Sequence, residues 1–290
     1  MKKIFYTFFA AALPLLTVAQ KVTGKLAFQQ GQVFIVTMDV KNKVGQEAMG
    51  NNIDFNVDGT ATHSFKVTNT TEDNHTLHHD VKKITFKFDG MGQNRSFDSD
   101  NAKDMEGFFG APVKDLLGKS YDMIIDPTGK TMIVKPEKIE LAKYDDRLAI
   151  VFNMLKDVTS VVYPPKKNEA SFFKALPDTA VGINDTWSEI IETENGKVTT
   201  VYKLSAITDS VIIIDLAGRS SSITKSEMMG MPMTTSMNNN FTGKIIADKA
   251  TGIIREKTIT TESKGSTEAM GGNMPVTAKT TITITVKPAE

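Results

Sequence analysis

Hydrophobic and polar residues alternate one for one along most of this chain, the period of a half-buried β-strand. In "NIDFNVDGTATHSFKV" Ile53, Phe55 and Val57 share one face, and Ala61, His63, Phe65 and Val67 resume it after Asp58-Gly59. A type I′ turn needs positive φ at both central residues, so Asp-Gly between alternating runs predicts a hairpin turn there. "IIETENGKVTTVYKL" carries Asn195-Gly196 in the corresponding place. At the same offset Phe65 meets Tyr202, Lys66 meets Lys203 and Val67 meets Leu204. Each copy runs on into another strand-like stretch, "KKITFKF" and "VIIIDLAG".

A second pair of stretches strengthens the echo. "GKSYDMIIDPTGKTMIV" resembles "TGKIIADKATGIIREKTIT", with Asp126 and Gly129 matching Asp248 and Gly252. The GK[ST] tripeptides of the first stretch do not form a phosphate-binding loop. The glycine such a loop needs five positions upstream is Val113 in one case and Ile124 in the other. Pro127 suits the second position of a turn and Gly129 its left-handed position, so a hairpin is expected.

Two stretches break the alternation. Leu148, Val151, Phe152, Leu155 and Val158 recur at helical spacing before Pro164-Pro165; Met105, Phe108, Phe109, Val113, Leu116 and Leu117 share a second helical face, which Gly110 and Pro112 split. The expected fold is mainly β: a curved antiparallel sheet, or two, built from two similar β-meander halves with two short helical insertions. The expected boundaries are a signal peptide at 1–19, a first β-rich half at 20–136, a helical connector at 137–174 and a second β-rich half at 175–290. The halves form either two domains or one.

The start of the chain places the protein. Lys2 and Lys3 precede an apolar run from Ile4 to Val18, and Thr17-Val18-Ala19 offers a small-residue cleavage site before Gln20. This is the pattern of a secretory signal peptide, too short for a comfortable transmembrane span. No later stretch is apolar enough to cross a bilayer as a helix. The chain has no cysteine, which rules out a lipoprotein anchor, thiol chemistry and Cys-ligated zinc. A soluble exported protein, periplasmic or extracellular, is expected. Lys and Arg number 34, as do Asp and Glu, and this balance gives no electrostatic case for nucleic acid.

The Ala-Gln junction, "LPDTAVGINDTWSEI" followed by "VYKLSAI", and the "DPTGK" hairpin together resemble an uncharacterised family of secreted proteins of Bacteroidota. The resemblance implies envelope location and a β-rich unit over nearly the whole mature chain. It implies no activity and lends no site residues.

The residues that could carry chemistry are each weighed against a plainer role. "DFNVDG" begins like an EF-hand calcium loop, but Phe65 stands where the bidentate Glu would be. His63, His75, His78 and His79 cluster in sequence. On one strand His75 and His79 lie about 13 Å apart, too far for one zinc with ligands at about 2 Å. A metal site would need His63 delivered beside one of them, and half-buried or exposed strand histidines are the expectation. Ser171-x-x-Lys174 and Ser222-x-x-Lys225 match S-x-x-K without its partner motifs, and Asp145-Asp146 reads as a helix N-terminal pair. Trp187, the only tryptophan, reads as a core anchor. Thr179 and Ser210 stand in Asp-Ser/Thr-apolar triplets of the kind glycosylated in this bacterial group. Methionines crowd "SEMMGMPMTTSM", and Met270 and Met274 follow in a similar setting. Thioethers suit Cu(I), but with no His nearby they read as pliable apolar filler.

No enzyme signature and no cofactor or metal site is expected. The expected function is an apolar ligand or lipid held on the concave face of the sheet, against Met228, Met229, Met231, Met233, Phe108, Phe109 and Phe152. The alternative is a structural or interaction module that binds an envelope protein. A hollow face favours the first, and a filled core with a long unpaired edge favours the second.

Overall fold

The computed structural model describes residues 21–48, 51–90, 92–140, 155–193, 195–228, 231–269 and 272–289. The leader lies outside them, as do Asp145-Asp146, Leu148, Val151 and Phe152 of the second helical stretch. Of that stretch residues 155–159 are helical, followed by a 3-10 turn at Ser160–Val162.

The alternation builds antiparallel strands. The first group is β1 (Lys21–Val22), β2 (Val33–Ala48), β3 (Asn51–Thr70), β4 (His75–Gly90), β5 (Gln93–Asp98), β6 (Ser120–Ile125) and β7 (Thr131–Lys135). The second is β8 (Val181–Gly182), β9 (Thr186–Thr193), β10 (Gly196–Ile207), β11 (Val211–Met228), β12 (Met231–Asp248), β13 (Ile254–Ala269) and β14 (Gly272–Pro288). Twelve of them form one sheet in the order β7-β6-β4-β3-β2-β14-β13-β12-β11-β10-β9, with β5 beside the far half of β4. The two meanders meet where β2 pairs with β14, Phe34 opposite Pro288 through to Gln46 opposite Val276. The end strands β7 and β9 do not pair with each other, so the sheet stays open.

What curls this sheet is the segment before β2. The Leu26 N–H donates to the Pro127 carbonyl at 2.7 Å, and the Ala27 N–H donates to the Thr251 carbonyl at 2.8 Å. Pro127 lies in the β6–β7 turn and Thr251 in the β12–β13 turn. Four strands stand between these hairpins in the sheet, roughly 24 Å on a flat surface. Adjacent residues, with Cα atoms about 3.8 Å apart, cannot serve both turns unless this end of the sheet rolls up. β1 adds a short pairing with β8.

The two turns are the paired stretches seen in the sequence, and they are built alike. The Asp126 carboxylate accepts from the Thr128 and Lys130 N–H groups, and that of Asp248 accepts from the Ala250 and Thr251 N–H groups. Gly129 and Gly252 both have positive φ, +84° and +70°, where a side chain would strain the backbone.

The rolled end is filled. Phe28, Phe34 and Phe173 pack edge to face or tilted with centroids 5.3–6.0 Å apart, and Phe65, Leu77, Met123 and Ile125 are fully buried around them. Two short helices, α1 (Ala102–Glu106) and α2 (Gly110–Leu117), close the β4–β5 side. Gly107 caps the first, so the stretch is split, but ahead of the expected Gly110 and Pro112, which both lie in the first turn of the second helix. Pro112 is tolerated in the first turn of the second, where its missing N–H has no intrahelical partner to lose.

One expected turn is absent. Asp58-Gly59 lies inside β3, paired with Lys41-Val40 on one side and Lys87-Phe86 on the other. Its glycine answers to packing instead: a Cβ on Gly59 would sit 2.3 Å from Leu155 Cδ2 and 3.2 Å from Val40 Cγ1. A glycine in a strand interior often marks such a close approach. Asn195-Gly196 does lie at a hairpin, with Gly196 opposite Thr193. The two dipeptides are therefore not structural equivalents.

Gly59→Val is expected to displace the helical segment at Leu155 and to destabilise the protein by about 1–3 kcal/mol. Urea unfolding of the variant measures it, and an unchanged midpoint would show that Leu155 yields freely.

Candidate binding face

Directly opposed residues of a sheet share a face, and rows across this one show what that face offers. The row Leu204, Ile214, Ile245, Lys257, Ile284, Met38, Ala61, Ile84 crosses from β10 to β4. Its apolar members are all buried, and Lys257 is the exception among them. One step toward the open end runs Trp187, Tyr202, Leu216, Gly243, Ile259, Ile282, Val40, Gly59, Phe86, Phe97. Here Trp187, Tyr202, Ile259 and Ile282 are only half-buried. The next step brings Glu189, Thr200, Gly218, Phe241, Thr261, Thr280 and Asn42. Along this inner face the packed core thus passes into a surface that stays partly open to solvent.

Specific contacts hold this surface in shape. Trp187 stacks on Tyr202, centroids 5.4 Å apart and planes 11° from parallel. The Tyr202 hydroxyl donates to Glu189 Oε2 at 3.2 Å, and burial followed by the Glu189 charge pushes the phenol pKa up. The Phe241 ring lies over Gly218, where a Cβ would be 2.4 Å from Cζ. Thr280 donates its hydroxyl to Asn42 Oδ1 at 3.2 Å. Lys257 keeps some solvent contact as a residue, yet its ammonium is buried enough to push its pKa down, with the Glu189 carboxylate opposing.

The residues expected to bind ligand are not brought to one place. Met228 and Met231 are opposed at the tip of the β11–β12 hairpin, and Met233 is opposed to Ala269 two residues on. Phe109 packs against Phe86 and Phe97, centroids 5.0 and 6.2 Å away, while Phe108 is 52% exposed. Met233 lies roughly 33 Å along β12 from Gly243, the β12 member of the row that holds Phe86. Met229 and Phe152 lie outside the described residues. The inner-face residues Lys257, Phe241 and Ile259 were not expected. The alternation Lys257, Ile259, Thr261 puts the lysine on the apolar parity, but the irregularity at the start of β13 hides it from the Ile254 side.

The histidines also differ from expectation. His63, His75 and His79 are buried, and His78 faces outward between Asp122 and Asp80. Strand pairing does deliver His63 beside His79, with Nδ1 3.1 Å from His79 Nε2. His63 Nε2 lies 3.1 Å from the Val158 carbonyl. A carbonyl only accepts, so His63 carries its proton on Nε2 and takes the His79 Nε2–H at Nδ1. His79 Nδ1 is left buried without a partner. The pair ties β3 and β4 to the helical segment, and no group of three or more metal-ligating residues occurs among the described residues.

The other motifs fall into structural places. Ser222 and Lys225 sit on β11 and not on a helix. Lys174 pairs with Asp178 and donates to Thr128, while the Ser171 hydroxyl is buried without a partner. Thr179 and Ser210 are exposed outside the strands.

Residues 166–254 match a family of unknown function, DUF6263, in agreement with the resemblance to an uncharacterised family over that part of the chain. No curated protein matches the chain. Among solved structures, lipovitellin, in a study of its lipid–protein interactions, is 11% identical with a TM-score of 0.46, over 91% of this chain and 26% of that one. This chain therefore spans about a quarter of the lipovitellin chain. The COG4313 outer membrane channel from Pseudomonas putida F1 is 7% identical over 91% of this chain and 98% of that one, with a TM-score of 0.27. Pseudomonas aeruginosa OpdQ is 7% identical over 91% and 100%, with a TM-score of 0.21. Scores this low establish neither a shared fold nor a shared ligand. No helix among the described residues is long and apolar enough to cross a membrane.

The buried histidine pair predicts how stability depends on pH. Burial, against the pull of the Val158 carbonyl, pushes the His63 pKa from 6.5 to about 4. Burial and then the neighbouring His63 push that of His79 to about 3, with Asp80 opposing. The unfolded chain takes up these protons near pH 6.5 and the folded one does not. Stability is therefore full above about pH 6.5 and falls as pH drops toward 4, by about 3 kcal/mol from His63 alone. Urea midpoints measured from pH 7.5 to 4 are expected to trace that loss, and His79→Phe to reduce it while the His63 share remains. A flat profile in the unaltered protein would mean that the rings are not buried neutral.

Proposed function

We propose that this is an exported, non-catalytic binding protein that holds an apolar or lipidic ligand along the open half of the inner face of its sheet. The observation that carries the reading is the row from Trp187 to Ile282. It continues the hydrophobic core without a break, yet Trp187, Tyr202, Ile259 and Ile282 remain half-exposed. An apolar surface contiguous with the core and open to solvent is the usual setting for a ligand. The rolled end does not serve, since phenylalanines and aliphatic residues already fill it. The methionine hairpin lies at the open tip, where flexible thioethers suit contact with a ligand of variable shape. The leader pattern supports export.

A protein-interaction module is the second reading, and β9 favours it. Among the described residues no strand pairs with the outer edge of this end strand, which carries Ile190 and Ile191 at 58% and 49% exposure. Exposed apolar edges invite pairing with another chain.

The neutral fluorophore N-phenyl-1-naphthylamine separates the two. Its emission is expected to rise on mixing, with energy transfer from Trp187, and Phe241→Asp with Ile259→Asp is expected to weaken binding about tenfold or more. Absence of uptake, or uptake indifferent to both changes, would turn the interpretation to β9. Amide exchange protection confined to that strand in the presence of a partner would then be its signature.

A further inference from the structure

We infer that Lys257 anchors the carboxylate of a single-chain fatty acid whose chain runs from this residue along the inner face toward the open end. This deepens the binding reading above and rests on it. The argument begins with position. Lys257 stands between Ile245 and Ile284, both buried, at the level where the filled core gives way to the open surface. Among the described residues its side chain has no ion pair and no hydrogen-bond partner. Elsewhere lysines meet carboxylates: Lys83 with Asp98 and Asp100, Lys119 with Asp115, Lys174 with Asp178, Lys279 with Glu262.

An ammonium drawn into an apolar row without a partner is costly. Methionine or leucine would fill the same place without that cost. A ligand anion that docks on the ammonium supplies the missing partner, in surroundings where a charge-assisted hydrogen bond is strong.

The charge of the ligand follows from the neighbours. One ammonium balances one negative charge, and Glu189 on the same face repels a second. The row beyond holds Leu216, Ile259 and Ile282, with no further cation. A phosphate site gathers several donors or a helix N-terminus, and this face has neither. A carboxylate fits. Its chain then has the inner face of β13 from Lys257 to Gly265 to lie on, roughly 26 Å.

Dodecanoic acid, dodecanol and dodecyl phosphate share one chain and differ in head group, so their binding at pH 7.5, read from Trp187 fluorescence, tests the inference. Dodecanoic acid is expected to bind best. Lys257→Met is expected to weaken it about tenfold or more while leaving dodecanol unchanged, and Lys257→Arg to preserve acid binding. Thermal unfolding checks that each variant folds, and Lys257→Gln replaces Lys257→Met should that one not. Equal binding of acid and alcohol, unaffected by Lys257→Met, would overturn the anchor and leave the binding face standing. Preference for the phosphate would overturn the monoanion. Failure of all three to bind would overturn the binding face itself.

Discussion

Two backbone hydrogen bonds from adjacent residues, Leu26 to the β6–β7 turn and Ala27 to the β12–β13 turn, impose the constraint on which the rest of this structure depends. A meander of this width with only neighbouring strands paired would be free to twist as an open ribbon. Joining two distant hairpins at one end removes that freedom there. The aspartate-capped turns make the junction precise, because each presents its carbonyl from a loop already held by side-chain bonds. Leu26 seals the same place with apolar contact, since its Cδ atoms lie against both turn glycines.

From this follows the division of the sheet into two regimes. At the rolled end every inward residue meets side chains from across the roll, and burial at about 25 cal/mol per Å² drives packing. Gly59 allows Leu155 to sit against the strand, and His63 holds the same helical segment through the Val158 carbonyl. Two neutral imidazoles stay in this core because both ring N–H groups find acceptors, and only the His79 Nδ1 acceptor lacks a partner. At the other end the strands run on past the reach of the core. Their inward positions turn to Thr, Ser, Asn and Gly, with Phe241 covering Gly218 as an aromatic covers a bare strand glycine.

The boundary between the regimes is where apolar surface and charge coexist. Trp187, Tyr202, Ile259 and Ile282 are half-buried there, and Lys257 lies among isoleucines with Glu189 acting on it only through space. Three strands stand between Lys257 on β13 and β9 in the sheet, so the influence of Glu189 on this lysine is itself a product of the curvature of the sheet. The same two hydrogen bonds that shape the core thereby shape the face proposed to bind.

Strand parity, the antiparallel meander, the helical breaks and the likeness of the two capped turns were all legible in the sequence, because each is set by residues close together in the chain. Asp126 and Asp248 each find the N–H partners that shape their turns within four residues, and alternation needs only the next neighbour. What tertiary structure alone decided was everything set by distant partners. Asp58-Gly59 reads locally as a turn, but Leu155 makes it a packing site. The histidines look scattered, but β3–β4 pairing stacks His63 on His79. The methionines suggest a single surface with Phe108 and Phe109, yet strand length holds them apart. Lys257 reads as one solvated lysine among many, and becomes a half-buried lysine on the apolar face, its side chain without an ion pair among the described residues, only because a strand irregularity and the roll of the sheet turn it inward. Local dihedral preferences carry the first kind of information; the second exists only once strands far apart in sequence share a face.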